Sequence, residues 1–163
     1  MSTSERAVPS SRTSITGTRL FDAAKAGLGS SLTILALANL GTSLGSPLLI
    51  APFGASCVLV YALPQSPLAQ PRNVIGGHFV STAIGLLTLA LLGNGPEAVA
   101  AGVGLAIAAM VLTRTLHPPA GADPIVVALA GASWPFLFVP ILLGTLVIVL
   151  LAKLYGRIAF RRS

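Results

Sequence analysis

Two short runs interrupt the apolar sequence of this chain and contain the side chains best suited to chemistry. They read PFGAS at 52–56 and PAGAD at 119–123, so both follow the pattern P-x-G-A before a polar residue. Proline lacks an N–H and glycine tolerates non-helical dihedrals, so each run is predicted to break one helix and begin another. Ser56 and Asp123 are predicted N-caps, with Pro124 at the first helical position. Two positive helix ends that point at one place form a site for a small anion.

Other polar residues lie close to these breaks. Arg114 and His117 precede the second break, and ionisable residues inside a membrane are functional candidates by default. Arg114 either contacts the ligand or extends to the membrane surface, and His78 either faces the same cavity or bonds a backbone carbonyl. The breaks themselves either form the site or only kink two packed helices. The predicted substrate-binding residues are Gly54, Ser56, His78, Arg114, His117, Gly121 and Asp123.

Asp123 conflicts with an anion site, because a carboxylate at a helix N-terminus occupies the positive field and repels an anion. The conflict is resolved if Asp123 pairs with Arg114 or His117, or if it is protonated when the anion arrives. Protonation of Asp123 when the anion arrives would couple anion movement to a proton. Gly121 is expected to let the backbone approach the ligand without a Cβ in the way.

Hydrolytic and metal chemistry find little support in the sequence. It has no paired-carboxylate site, no nucleophile elbow and no H-E-x-x-H motif, and a metal centre normally needs three or more ligands. Cys57 is the single cysteine, so neither an intramolecular disulfide nor a cysteine cluster can form. We therefore expect neither an enzyme nor a bound cofactor or metal.

The composition places these residues in a membrane. Hydrophobic residues make up 54 % of the chain and charged residues 9 %, against about 25 % charged in soluble domains. The net charge of +6 comes from basic residues at segment ends without interleaved aromatics, which indicates anchors at a lipid bilayer and excludes nucleic acid as a partner.

Breakers divide the apolar sequence into six segments, at 26–44, 47–63, 74–92, 98–116, 118–132 and 135–152. The second and fifth are short for a crossing of about 20 residues. Basic residues near both ends of the chain place both termini in the cytoplasm, which allows four or six crossings. Six crossings also keep Arg72 and Arg114 on the cytoplasmic side, so six is favoured.

The two breaks are related by an offset of 67 residues (119 − 52), and the same offset places the first segment largely on the fourth and the third mostly on the sixth. The predicted fold is an all-α membrane protein of six segments, two short and broken, arranged as inverted three-segment repeats. The halves span about 26–92 and 97–159 of a single transmembrane domain at 26–160. Residues 1–25 are expected to be a disordered basic cytoplasmic tail without a signal peptide.

The run HPPAGADP at 117–124 resembles the signature of the HPP family of integral membrane proteins. The PFGAS run and QPRNVIGGH at 70–78 are similar to the family's other motifs, so the resemblance covers about residues 20–160. It implies a small-anion transporter, because plant chloroplast and cyanobacterial relatives are implicated in nitrite transport. Family descriptions usually give four transmembrane helices, against the six favoured by charge.

These arguments predict transport of a small inorganic anion, nitrite, through a site near the bilayer midplane. The expected location is the inner (plasma) membrane of a bacterium, with association as a homo-oligomer. The alternative is a membrane scaffold or sensor subunit that transports nothing and whose broken helices serve packing.

Overall fold

The structure, a computed structural model, describes residues 12–159, and all regular secondary structure within that range is helical. The α-helices are α1 (Arg12–Leu44), α2 (Ala51–Cys57), α3 (Pro71–Leu92), α4 (Pro96–Leu112), α5 (Asp123–Ala130) and α6 (Leu143–Ala159). A π-helical turn, Val58–Ala62, continues α2, and another, Phe138–Leu142, precedes α6. Short 3-10 turns occupy Pro67–Ala69, Pro118–Ala122 and Trp134–Leu137.

The all-α prediction is confirmed, while several boundaries differ from those expected. Helix α1 extends back to Arg12, into the stretch predicted to be disordered, and residues 1–11 of that predicted tail lie outside the described range. Helix α2 begins at Ala51, before Pro52, because a proline is tolerated in the first turn of a helix, where its missing N–H costs nothing.

Helix α4 ends at Leu112, earlier than the hydropathy predicted, because Arg114 adopts a left-handed conformation with φ of 56°. The Thr115 N–H donates to the Met110 carbonyl at 2.9 Å and the Arg114 N–H to the Val111 carbonyl at 3.1 Å. This is the Schellman pattern that closes a helix C-terminus. The following residues are therefore free to cross back towards α3.

Basic residues collect at one end of the bundle. The Arg72 guanidinium donates to the Thr113 carbonyl at 2.9 Å, which joins the start of α3 to the end of α4. The Tyr155 hydroxyl donates to the Lys25 carbonyl at 3.0 Å, which joins α6 to α1. Lys153 lines a cavity together with residues 70–71 at the start of α3. We call this end, marked by Lys25, Arg72, Arg114 and Lys153, the basic end.

The opposite end consists of the connections at 45–50, 93–95 and 131–133, which contain neither lysine nor arginine. The Asn94 amide donates to the Ala128 carbonyl at 3.0 Å, so the last turn of α5 lies beside the junction of α3 and α4. The fifth segment therefore starts beside the basic end and finishes at the opposite end.

The outer surface is apolar, as expected of helices in lipid. Leu112 and Leu129 are 83 % and 85 % exposed, and large exposed apolar side chains are typical of a surface that contacts lipid or another protein. Three helices are long and apolar enough to cross a bilayer, at 17–44, 71–92 and 134–158. Shorter apolar helices occupy 51–62 and 96–112.

Two glycines let helices approach the broken segments closely. A Cβ on Gly77 of α3 would lie 2.7 Å from the His117 Cβ and 2.8 Å from the Thr115 carbonyl oxygen. A Cβ on Gly144 of α6 would overlap the ring of Phe53. Gly77 thus packs α3 against the connection that precedes the second break, and Gly144 packs α6 against the first turn of α2.

Candidate functional site

Four polar side chains meet in the interior with no exposed surface: Ser56, His78, His117 and Asp123. They come from α2, from α3, from the connection after α4 and from the start of α5. We call these four residues the buried cluster. Buried polar groups require partners, and the cluster residues supply most of them to one another.

Ser56 lies at the centre of the cluster. Its Oγ is 2.8 Å from Nε2 of His78 and 2.8 Å from Nε2 of His117, and it also lies 3.2 Å from the Pro52 carbonyl oxygen. The prediction that Ser56 caps a helix is wrong, because α2 begins at Ala51 and places Ser56 one turn inside it. That position directs the hydroxyl towards the histidines instead of a free N–H group.

Asp123 is the first residue of α5 but does not cap it with its side chain. Its Oδ2 lies 2.8 Å from Nδ1 of His78 and accepts a hydrogen bond from the Thr82 hydroxyl at 3.2 Å. The predicted capping role is therefore wrong, and the ion-pair partner is His78, not Arg114 or His117. Its other oxygen, Oδ1, is buried without a hydrogen-bond partner.

Both histidines are held in place by further contacts. The His117 Nδ1–H donates to the Leu68 carbonyl at 2.8 Å, in the 3-10 turn at the basic end. The His78 and Phe53 rings are nearly perpendicular with centroids 5.3 Å apart, and the two imidazole centroids are 5.1 Å apart. Of the two orientations predicted for His78, the structure has the one that faces the site.

The remaining predicted site residues lie outside the cluster. Arg114 is exposed and ends helix α4, so the structure does not bring it to Asp123. Gly54 is exposed, and a Cβ on Gly54 or Gly121 would have no heavy atom within 4 Å. A close backbone approach at Gly121 would therefore have to come from a ligand, not from the protein.

Sequence reasoning missed the hydroxyl groups of α3 that support the site. Thr82 bonds Asp123, and Ser81 donates to the Ala120 carbonyl in the second break at 2.6 Å. These residues follow His78 at spacings of three and four, which places all three side chains on one helix face. A polar stripe at that spacing in an otherwise apolar helix was the available signal.

The order Ser56, His78, Asp123 matches the nucleophile, base and orienting carboxylate of serine hydrolases. Two features distinguish this site from such a triad. A second histidine holds the same hydroxyl, and no surface of Ser56 is open to a substrate. The arrangement is equally a continuous hydrogen-bonded path from Asp123 to the Leu68 carbonyl, and such a path can move protons.

Two cavities open between the π-helical turn of α2 and helix α6 at the basic end. One, of about 300 Å³, is lined by Lys25, Tyr61, Gln65 and Tyr155, among others. The second, of about 190 Å³, is lined by Lys153 and by Ala69, the neighbour of Leu68. Val60, Pro64 and Ala152 line both cavities, which we together call the vestibule.

Comparison with known proteins places this chain in a family. Residues 16–163 match the model of the HPP transmembrane region. A transmembrane protein of Dictyostelium discoideum is 38 % identical over 142 residues, which cover 81 % of this chain and 50 % of the relative. A second from the same organism is 37 % identical over 123 residues, covering 71 % of this chain and 40 % of the relative. The chain thus spans half or less of these relatives, and no solved structure matches it.

Proposed function

We propose, from the premise that this chain belongs to the HPP transmembrane family, that it moves a small inorganic anion across a membrane. Nitrite is the proposed substrate, as implied by the resemblance of the chain's motifs to those of the HPP family. We infer transport and not catalysis, because the site is closed on all sides by helices and its serine is shared by two histidines.

The observation that carries this proposal is the buried cluster itself. A membrane protein that served only packing would need proline and glycine at its breaks, not two histidines and an aspartate. Ionisable groups inside a bilayer are costly and typically mark ion or proton pathways. Here the two histidines and Asp123 come from α3, from the connection after α4 and from the start of α5. They meet Ser56 of α2 about 10 Å along α3, a helix of 22 residues and so about 33 Å long.

The vestibule supports an anion as the transported species. Lys25 and Lys153 line its two parts, and paired positive charges in a concave site raise the local concentration of anions. Ala69 at its inner side adjoins Leu68, whose carbonyl bonds His117. An anion drawn into the vestibule would therefore stand next to the turn that holds the buried cluster.

The positions of the segment ends within the bundle support six membrane crossings. Each of the six segments begins near one end of the bundle and finishes near the other, and the contact between Asn94 and Ala128 brings the fifth segment to the end without lysine or arginine. With the basic end in the cytoplasm, the distribution obeys the positive-inside rule. The proposed setting is the plasma membrane of a bacterium, with both segment 12–25 and the end of α6 on the cytoplasmic side.

An inverted repeat also gains support from packing. Gly77 and Gly144 are separated by the same 67 residues (144 − 77) as the two P-x-G-A runs, and each packs against a residue of the other half, His117 for Gly77 and Phe53 for Gly144. Inverted repeats of secondary transporters place substrate sites between the two halves, at discontinuous helices. Ser56 and Asp123, which correspond at this offset, both belong to the buried cluster.

Uptake of nitrite by lipid vesicles that contain the purified protein tests the proposal. We expect uptake above that of empty vesicles, and we expect it to fall at least tenfold in His117→Ala. Flux equal to that of empty vesicles across a range of pH and small anions would overturn transport. Loss of stability in His117→Ala and Asp123→Ala, without any anion-dependent function to lose, would favour the scaffold or sensor subunit.

A further inference from the structure

We propose that the buried cluster is a proton-binding site, in which one proton beyond those of two neutral imidazoles and a serine hydroxyl is shared by His78 and His117 through Ser56. Proton binding stands apart from the transport proposal. Its coupling to an anion rests on the proposed function.

His117 has a fixed hydrogen on one ring nitrogen. A carbonyl oxygen can only accept, so the contact of 2.8 Å with Leu68 places a proton on Nδ1 of His117. If His117 is neutral, its Nε2 is an acceptor and must receive the hydroxyl hydrogen of Ser56. That hydrogen is then no longer available to any other partner.

The same hydroxyl oxygen lies 2.8 Å from Nε2 of His78. With its one hydrogen given to His117, Ser56 can only accept there, so His78 must carry a proton on Nε2. Its Nδ1 faces Oδ2 of Asp123 at 2.8 Å, and that contact needs a second proton, on one atom or the other. The pair of His78 and Asp123 therefore holds one proton more than a neutral imidazole and a carboxylate.

Other arrangements do not remove this proton. If Ser56 donates to His78, then His117 carries protons on both nitrogens, and the excess proton has only moved. If Ser56 donates to the Pro52 carbonyl, both histidines must donate to Ser56, which requires two excess protons. Both short contacts of Ser56 can be satisfied only when at least one extra proton is present.

Electrostatics selects one proton in preference to two or none. With one, the positive charge cancels the Asp123 carboxylate and the cluster is neutral, whereas burial of a net charge is costly. The charged side chains on the elements around the cluster, Arg72, Glu97, Arg114 and Lys153, are exposed, and Cys57 and Tyr61 are buried beyond Ser56 in the same segment. Lys25 lines the vestibule. The exposed charges lie outside the cluster and do not balance a charge inside it.

Transfer between the histidines needs no movement of heavy atoms. The bond from hydrogen to Nε2 of His78 breaks as that hydrogen binds Oγ of Ser56, and the original hydroxyl hydrogen leaves Oγ for Nε2 of His117. His78 becomes neutral, His117 becomes the imidazolium and Ser56 remains a hydroxyl that now donates to His78. The path ends at the unpartnered Oδ1 of Asp123 on one side and beside the vestibule on the other.

The chain has two histidines, both in the cluster, so isotope labelling of histidine ring nitrogens reports on this site alone. We would record nitrogen NMR spectra of the full chain in lipid bilayers at neutral pH. The expected spectrum shows one proton in excess, with imidazolium character divided between the two rings. Two neutral histidines that both carry hydrogen on Nδ1 alone would overturn proton binding, whether or not the protein transports nitrite. Two neutral histidines with His78 protonated on Nε2 would place the excess proton on Asp123 and overturn its sharing by the two rings.

Two variants distinguish the group that binds the excess proton from the group through which the histidines share it. Asp123→Asn should leave both histidines neutral, and Ser56→Ala should confine the proton to one ring. Thr145→Val is the matched control, since it removes an equally buried hydroxyl that donates to the Ile141 carbonyl in the π-helical turn before α6, and its spectrum should equal that of the wild type. A wild-type spectrum in which one ring is fully imidazolium and the other fully neutral would overturn the sharing. The wild-type spectrum alone shows this outcome, even if Ser56→Ala fails to fold.

Discussion

His78 and Asp123 join Nδ1 to Oδ2 at 2.8 Å across 45 residues of sequence, with no exposed surface on either side chain. The contact ties the third segment to the start of the half-helix after the second break. It also resolves how a carboxylate can stand at the positive end of α5 beside a proposed anion path, because His78 shares its charge.

The first prediction concerns this contact. Asp123→Asn keeps the size of the side chain and an acceptor for Thr82, but removes the group that pairs with an imidazolium. We expect nitrite uptake to lose its dependence on an imposed pH gradient. The free energy of unfolding should fall by about 1 to 3 kcal/mol, because one contact of Ser56 is left without a hydrogen. Uptake into vesicles with and without a pH gradient measures the first effect.

Glu97→Gln provides the control for Asp123→Asn. It also neutralises a carboxylate, but one that is exposed at the start of α4, far from the histidines in the fold. Its uptake should keep the pH dependence of the wild type. An unchanged pH dependence in Asp123→Asn would exclude the coupling role of the carboxylate.

The second prediction tests the close packing of α3 on the connection between α4 and the second break. Gly77→Ala adds a Cβ that would lie 2.8 Å from the Thr115 carbonyl oxygen, so the backbone must shift. We expect the free energy of unfolding to fall by about 1 to 3 kcal/mol and the His117 side chain to be displaced. Gly104→Ala is the control, because a Cβ there has no heavy atom within 4 Å and alanine favours a helix by about 1 kcal/mol. Equal thermal stability of the two variants would contradict this account.

Much of the fold could be predicted from local sequence. Apolar length and the proline and glycine breakers gave six segments in the right order, and the start of α5 at Asp123 agrees with the predicted second break. The first break was misplaced because Pro52 was interpreted as an interruption of a helix. In the structure it occupies the first turn, so the irregular backbone precedes it.

The site was predicted in its members better than in its contacts. Ser56, His78, His117 and Asp123 come together, but the sequence assigned Asp123 to Arg114 or His117. Partner choice depended on where α4 ends, and the left-handed residue there is an arginine, for which no local pattern predicts that conformation. Contacts between residues 45 and 61 positions apart are set by helix packing, which a single sequence does not specify.

The third prediction concerns the vestibule. Lys153→Gln removes a positive charge from its lining, so nitrite uptake at low anion concentration should fall several-fold, with the difference shrinking as salt screens the charge. Arg157→Gln is the matched control, since this residue is also exposed on α6, one turn further, and does not line the vestibule. Equal losses in both variants would indicate a general surface effect, and no role of the vestibule.

The fourth prediction separates proton transfer from hydrolysis at Ser56. A fluorophosphonate reacts with serines that a histidine activates and that a substrate can reach. Ser56 has no exposed surface, and its hydroxyl is hydrogen-bonded to two histidines, so we expect no covalent label in the protein in vesicles. Stoichiometric labelling that Ser56→Ala abolishes would show an accessible nucleophile and support an enzyme.

The last prediction concerns topology. Asn94 is exposed at the opposite end and Gln70 is exposed at the basic end, so six crossings place them on different sides of the membrane. In a background with Cys57→Ala, a membrane-impermeant thiol reagent added to intact cells should label Asn94→Cys and not Gln70→Cys. Permeabilised cells should show labelling of both, which confirms that Gln70→Cys is reactive. Labelling of Gln70→Cys in intact cells would mean that the second segment does not cross, and the halves would then have the same orientation, which excludes an inverted repeat.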